Sequence, residues 1–372
     1  MNRSVRRTIG ALVAASALML ASACGGSTDS SSGSGAGGDA DLVKTAAAKV
    51  AEFEKGADFP TLPEAFDPGT GKIAIIACGL AGPDCKNGAE AAQEAAQKMG
   101  WQADIFDAQF SAQRGSGFID QAVQKGYDGI ISISQPVETM KASVDNAIAS
   151  GLTVVCAACF QVPGFDKVIF ASVDWAGQGS QLAWSVINRS KGQAKVLLYD
   201  APDQAVNARV KGFKETLTKE CSSCKIVQSA TIDATEIAKP GPPTFVADLA
   251  KNPAGTITDV VDPYDAIGVP MAKTIKQNGR TELTMSGYDA TPEGVGGIID
   301  GSLPINATMG LPRSFMSYAA VDLIARTKAG APTYDVSSLP TILITKANAE
   351  KFVDSYYVPE EFPAAFLAAW GK

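Results

Sequence analysis

The chain has 372 residues, 46% of them hydrophobic and 19% charged, which supplies core enough for two domains of ordinary size. A formal net charge of −7 without any long basic run argues against a nucleic-acid partner. There is no histidine, so the commonest side chain for acid–base catalysis and metal ligation is missing.

Arg3, Arg6 and Arg7 precede an apolar run from Ile9 to Leu20 and then small residues before Cys24, the three parts of a secretory signal. The run is short for a membrane span. Leu20-Ala-Ser-Ala-Cys24 resembles a bacterial lipobox with its Leu one place early. That resemblance implies a lipoprotein signal peptide over 1–23 and a lipid on Cys24, which would anchor the chain to the outer face of the cytoplasmic membrane. An ordinary cleaved signal is the alternative. Residues 24–40, rich in Gly and Ser, are expected to be a disordered leash.

Residues 41–71 are read as an N-terminal helix (41–55) followed by a connector punctuated by Pro and Gly. Lys72 to Cys78 is a near-continuous apolar run of strand length, as in a parallel sheet buried on both faces. A helix over 86–100 follows, stopped by Gly100, and the cycle repeats: strand 102–106, helix 115–125, strand 129–132, helix 137–150, strand 153–156. After strand 168–173 comes a second series, with helices at 177–189, 206–220, 245–252, 266–278 and 292–300 between strands at 194–199, 225–231, 259–261 and 283–288. The alternation predicts an α/β protein of two doubly wound, parallel-sheet lobes of about five or six strands each.

With Cys24 lipidated, six cysteines remain: Cys78, Cys85, Cys156, Cys159, Cys221 and Cys224. An even set outside the membrane suggests disulfides, and local spacing favours Cys78–Cys85, Cys156–Cys159 and Cys221–Cys224. A zinc site or a redox pair is the rival reading, and the lack of histidine and an oxidising exterior weigh against it. No metal and no cofactor are expected.

The order and spacing of Arg209-Val-Lys-Gly-Phe213, Asp262-Pro-Tyr-Asp-Ala-Ile-Gly268, Gly287-Tyr-Asp-Ala-Thr-Pro-Glu-Gly294, Asp300-Gly301 and Ala307-Thr308-Met309 resemble the type I periplasmic solute-binding proteins, in the ribose- and galactose-binding branch that feeds ATP-driven importers. The resemblance runs from about Lys72 to Ile344. It implies a hinge of three crossings near Asp174, Gly310 and Leu339, with lobe 1 formed by 72–173 plus 311–338 and lobe 2 by 174–310 plus 339–372. Solute would lie between the lobes, at the carboxyl ends of the strands.

The resemblance also implies pocket positions. Relatives place an Asn and two sandwiching aromatics after the first strand; Gly82, Asp84 and Cys85 stand there. An Asp-Arg clamp after the fourth strand is replaced by Ala158 and Cys159, so Cys85 and Cys159 are near enough to each other for a Cys85–Cys159 bridge to compete with local pairing. Asn207 matches an Arg reaching in from lobe 2, Arg209 a second Arg that more often supports the fold, Asp262 an Asn, Asp289 an Asp, and Gly310 a Gln. Phe160, Trp175 and Tyr264 near strand ends are candidates for the missing apolar face. Asp174 and Asp200 are read as turn or helix caps.

The expected solute-binding set is therefore Asp84, Phe160, Trp175, Asn207, Asp262, Tyr264, Asp289 and Gly310. It is rich in acceptors and suits a sugar or polyol; a cationic amine or an aromatic solute is the alternative. The implied partners are a small polar solute and ABC permease subunits, with the protein a monomer, or a sensor kinase or chemoreceptor for a receptor of the same fold. An enzyme is disfavoured, since there is neither a Gly-x-Ser-x-Gly elbow nor a phosphate loop.

Overall fold

Short apolar runs alternating with helices build two parallel sheets. The computed structural model describes residues 36–372 except Ala238, 353–356 and 359–360. The expected signal peptide, Cys24 and the leash as far as residue 35 lie outside the described residues.

Helix α1 (Ala36–Phe53) starts five residues inside the stretch expected to be disordered. Its Leu42, Ala46, Val50 and Phe53 recur at helical spacing and pack on the second lobe, which gives the segment a buried face that its composition hides. In chain order there follow β1 (Lys72–Ala77), α2 (Pro83–Met99), β2 (Gln102–Asp107), α3 (Ala112–Gln124), β3 (Gly129–Ile133), α4 (Lys141–Ala149), β4 (Thr153–Ala157) and β5 (Ile169–Ala171). These strands form a wholly parallel sheet, ordered β2-β1-β3-β4-β5. Strand β1 shows why its run has no polar face: Ile73, Ile75 and Ala77 enter one core and Ala74 and Ile76 the other.

The second lobe has α5 (Trp175–Ser190), β6 (Lys195–Asp200), α6 (Gln204–Glu220), β7 (Lys225–Thr231), α7 (Pro243–Lys251), β8 (Asp259–Val261), α8 (Asp265–Gln277), β9 (Thr284–Asp289), α9 (Pro292–Asp300) and β10 (Ile305–Gly310). The chain then gives α10 (Arg313–Ala329) to lobe 1, β11 (Ile342–Thr345) to lobe 2, and ends in α11 (Phe362–Ala369). The lobe 2 sheet is ordered β11-β10-β9-β8-β6-β7, with β11 antiparallel at its edge.

The lobes are joined at 172–174, 310–312 and 336–341. The first and third of these segments pair: the Ser172 amide donates to Val336 O and the Leu339 amide to Ser172 O, both at 2.8 Å. Two further segments cross. One is the connector from α1 on lobe 2 to β1 on lobe 1, and the other runs from β11 back to α11. The assignment of 339–372 to lobe 2 is thus corrected: α11 lies on lobe 1, where Phe362, Phe366 and Trp370 pack against Phe315 and Tyr318.

A buried ion pair fastens these outer segments. Arg326 and Asp322, both fully buried, are joined by a 2.8 Å bond from Nε to Oδ2. Arg326 Nη1 donates to Glu64 O in the connector, its guanidinium lies 4.4 Å from the Phe66 ring, and Trp370 Nε1 donates to Asp322 Oδ1. Removing one partner of such a pair strands a buried charge. We expect Asp322→Ala to cost about 3–5 kcal/mol in urea unfolding and to release Trp370, seen in its fluorescence; an unchanged midpoint would show that the clasp contributes nothing.

Candidate functional site

The carboxyl ends of both sheets face each other across a cavity of about 630 Å³. Backbone strain concentrates there. Among the described residues, seven that are not glycine have positive φ, and five of them (Gln109, Phe110, Ser134, Ala158 and Asp289) line this cavity. Such conformations cost about 1–3 kcal/mol each and persist where the surrounding structure holds them for a function. Asp289 is the furthest displaced, with φ of 93°.

A chain of charges runs along the cavity floor. From lobe 2, Arg209 Nη2 donates to Asp289 Oδ1 at 2.9 Å. Arg209 is otherwise spent: Nε donates to Gln178 Oε1, Nη1 to Pro263 O, and its guanidinium lies between the Trp175 and Tyr288 rings at 4.9 and 4.5 Å. It reaches this position because α5 and α6 meet backbone to backbone, with Gly179 against Arg209 O and Gly212 against Ala176 O, where any Cβ would collide. From lobe 1, Arg313 opens α10, donates through Nη1 to Ser134 Oγ at 2.7 Å, and has its Nε 3.6 Å from Asp84 Oδ1. Its Nη2 comes within 3.8 Å of Asp289 Oδ1, so one contact of the chain spans the two lobes.

Four expected residues line the cavity: Asp84, Trp175, Tyr264 and Asp289. Four do not. Asn207 lies on the exposed side of α6, with Arg209 two residues on facing the cavity. Phe160 packs between the two lobe 1 cores and borders only a small adjoining recess, together with Cys159. Gly310 sits at the second crossing, where a Cβ would press on Ile342 and Tyr357. Asp262 lies beneath the floor, its carboxylate against Gly268 and Gly287.

Residues missed from sequence include Arg313, Gln135 and Phe110. The Phe110 ring covers Gly79 and Gly82 and is among the most exposed large apolar side chains described, which places an aromatic face beside the first loop. Its cue was its place just beyond the β2 strand end. Asp174 accepts from the Gly177 amide as the cap of α5, whereas α6 is capped by Asp203 and not by Asp200.

The six described cysteines pair locally as Cys78–Cys85, Cys156–Cys159 and Cys221–Cys224; a Cys85–Cys159 bridge is not formed. Cys78 and Cys85 line the cavity, and their bridge ties the end of β1 to the first turn of α2, which carries Asp84. No cluster of residues able to hold a metal ion occurs among the described residues, and no helix among them is long and apolar enough to cross a membrane.

Residues 81–332, more than half of the chain, match the model of the periplasmic binding protein domain. No curated protein matches by sequence. Among solved structures, a sugar ABC transporter protein from Yersinia enterocolitica is 17% identical with a TM-score of 0.71, over 84% of this chain and 98% of that one. A myo-inositol binding protein from Caulobacter, bound to myo-inositol, is 19% identical with a TM-score of 0.69, over 78% and 97%. An ABC transporter solute-binding protein from Agrobacterium vitis with bound allitol is 16% identical with a TM-score of 0.67, over 76% and 97%. At these identities the likeness establishes the fold: two parallel-sheet α/β lobes.

The buried acids titrate unusually. Burial, reinforced by the Asp289 charge, pushes Asp84 up to about 7 against the pull of Arg313 and Arg209. Burial raises Asp265 to about 8 although Thr291 donates to it. Asp262 is held well above the ordinary carboxylate range by burial and by the charges of Asp265 and Asp289. The folded chain therefore keeps protons that the unfolded chain has lost above about pH 4, and stability falls as pH rises through 7 to 8. No histidine contributes in that window. We expect urea midpoints to decline between pH 5.5 and pH 8.5, and Asp265→Asn to flatten the decline; a slope unchanged in that variant would remove Asp265 from the account.

Proposed function

The chain belongs to the periplasmic binding protein domain family, and from that premise we propose that it captures a neutral sugar or polyol in the interlobe cleft and delivers it to the permease of an ABC importer. The family match is to a binding domain and not to an enzyme. The observation that carries the solute class is the charge chain on the cleft floor. Asp84, Arg313, Asp289 and Arg209 pair two carboxylates with two guanidiniums, so the floor offers acceptors and donors with no net charge. A hydroxyl needs one of each, and vicinal hydroxyls can bridge an acid and its neighbouring Arg. At the floor an amine would find both acids beside a guanidinium, and the other acids lining the cavity, Asp203 and Asp233, cap helices. Allitol and myo-inositol, the ligands of two of the structural relatives, are neutral and hydroxylated.

In this reading Asp84, Asp289 and Arg313 touch the solute and Arg209 positions Asp289. Phe110, Trp175 and Tyr264 supply apolar faces for the carbon skeleton of a sugar ring. Solute joining Asp84 and Arg313 on lobe 1 to Asp289 on lobe 2 would favour a closed state by hinge motion, because only that state makes both sets of contacts. A lipid on Cys24 would hold the body near its permease and raise the local concentration there.

Thermal-shift screening of the mature chain against allitol, myo-inositol, pentoses, hexoses and diamines tests this. A shift is expected from at least one neutral compound and from no diamine. Loss of a hydrogen-bonding charge costs about 1.5–3 kcal/mol, so Arg313→Met should weaken that compound by about 10- to 100-fold in calorimetry. Binding of diamines alone, or an Arg313→Met variant with unaltered affinity, would refute the assignment.

A further inference from the structure

The main cavity has a neighbour. A second chamber, of about 550 Å³, lies at the cleft edge between the N-terminus of α2 on lobe 1 and helices α8 and α9 on lobe 2. Ile237 and Ala266 line both. Each space alone has the volume of a small-molecule site, which runs from about 300 to 1,000 Å³. Their shared wall therefore leads from the charged floor into a compartment that a single hydroxylated ring bound at that floor would leave unfilled.

The chemistry of the second chamber differs from the first. Pro83, Pro240, Pro270 and Pro292 give it C–H faces. The polar groups sit among them. The buried carboxyl of Asp265 lines the wall, and the Lys273–Glu293 ion pair stands at the rim. Pro270 lies inside α8 and has no N–H, so the carbonyl four residues earlier, that of Ala266, lacks its helical donor. Ala266 itself is on the wall between the chambers.

We infer that the solute is a glycosylated sugar or polyol, a molecule of two hydroxylated rings, with one ring on the Asp84–Arg313–Asp289 floor and the second in the chamber bounded by Ala81, Ala266 and the four prolines. The inference rests on the capture reading and narrows its substrate class. Proline C–H faces and scattered acceptors match a sugar ring, which is apolar on its faces and hydroxylated at its rim. An alkyl substituent would offer no hydrogen-bonding partner to Lys273, Thr274, Gln277 and Glu293, which also line the chamber.

Calorimetry on the mature chain with matched pairs decides it: galactose against melibiose, glucose against maltose and cellobiose, myo-inositol against galactinol. At least one two-ring compound should bind about tenfold or more tightly than its one-ring parent. Ala81 and Gln277 are exposed, line the second chamber and do not touch the main one, so Ala81→Trp and Gln277→Trp fill it from opposite lobes without disturbing the core. Either variant should weaken the two-ring compound about tenfold and leave the parent within about twofold. A one-ring compound that binds while none of the two-ring compounds does, or a two-ring affinity indifferent to both variants, would overturn the inference and leave the capture reading standing. Failure of every compound, single rings included, would remove the capture reading and this inference together.

Discussion

The bond between Arg209 and Asp289 is the contact on which the cleft is built. Asp289 ends β9 with a φ of 93°, a conformation that a side chain normally avoids, and it is held there by a guanidinium with no freedom of its own. Arg209 in turn depends on two glycines. Without Gly179 and Gly212 the α5 and α6 backbones would stand apart, and Arg209 would leave the slot between Trp175 and Tyr288. Local strain at the site is thus sustained by close packing some residues away, the usual division between a strained site and its supporting scaffold. In the proposed reading the gain is preorganisation, since a solute meeting Asp289 would find it already ordered.

The segments outside the family match act on the hinge. Connector 54–71 and the return to α11 add two crossings to the three at 172–174, 310–312 and 336–341. Phe59, from the connector, lies 4.8 Å from Phe315 and 5.5 Å from Tyr357, a cluster of tilted rings beside the second crossing. This accounts for Gly310. The resemblance implies a Gln there, but here the space a Cβ would need is filled by Ile342 and Tyr357. A residue expected to touch solute has been given to hinge packing, and Arg313, three residues on, supplies the polar group at the cleft.

Legibility in the sequence followed how each segment buries its side chains. Strands β1, β3 and β4 are buried on both faces and read as apolar runs of strand length. Helix α10 was not anticipated for a related reason: it is buried on nearly all sides, Asp322 and Arg326 included, so it shows no amphipathic stripe. Within the cleft, Asp84, Trp175, Tyr264 and Asp289 were found because motif spacing fixes the strand ends they follow. Arg313 was missed because a cation opening a helix otherwise reads as a solvated surface residue, and Phe110 because nothing local separates a cleft aromatic from a core one. Asn207 and Arg209 both lie on α6, and only the turn of the helix, fixed by the glycine contact with α5, decides that the second faces inward.

Asp262 stands where the resemblance implies an Asn, and its environment explains how an acid can take that place. Burial beside Asp265 and Asp289 raises its pKa well above the ordinary carboxylate range, and a protonated carboxyl offers a donor and an acceptor in a plane, as an amide does. The same reasoning covers Asp265. Two acids with raised pKa thus lie beneath and beside a floor on which Asp84 and Asp289 stand next to Arg313 and Arg209, so the floor itself offers hydrogen-bonding capacity with its charges matched. A low-dielectric site of that kind penalises an unpaired charge on its ligand and rewards paired hydroxyls. Asp84, raised only to about 7, is the member nearest to changing state at neutral pH. Burial and the Asp289 charge favour its neutral form, and the Arg313 guanidinium 3.6 Å away favours the ionised one.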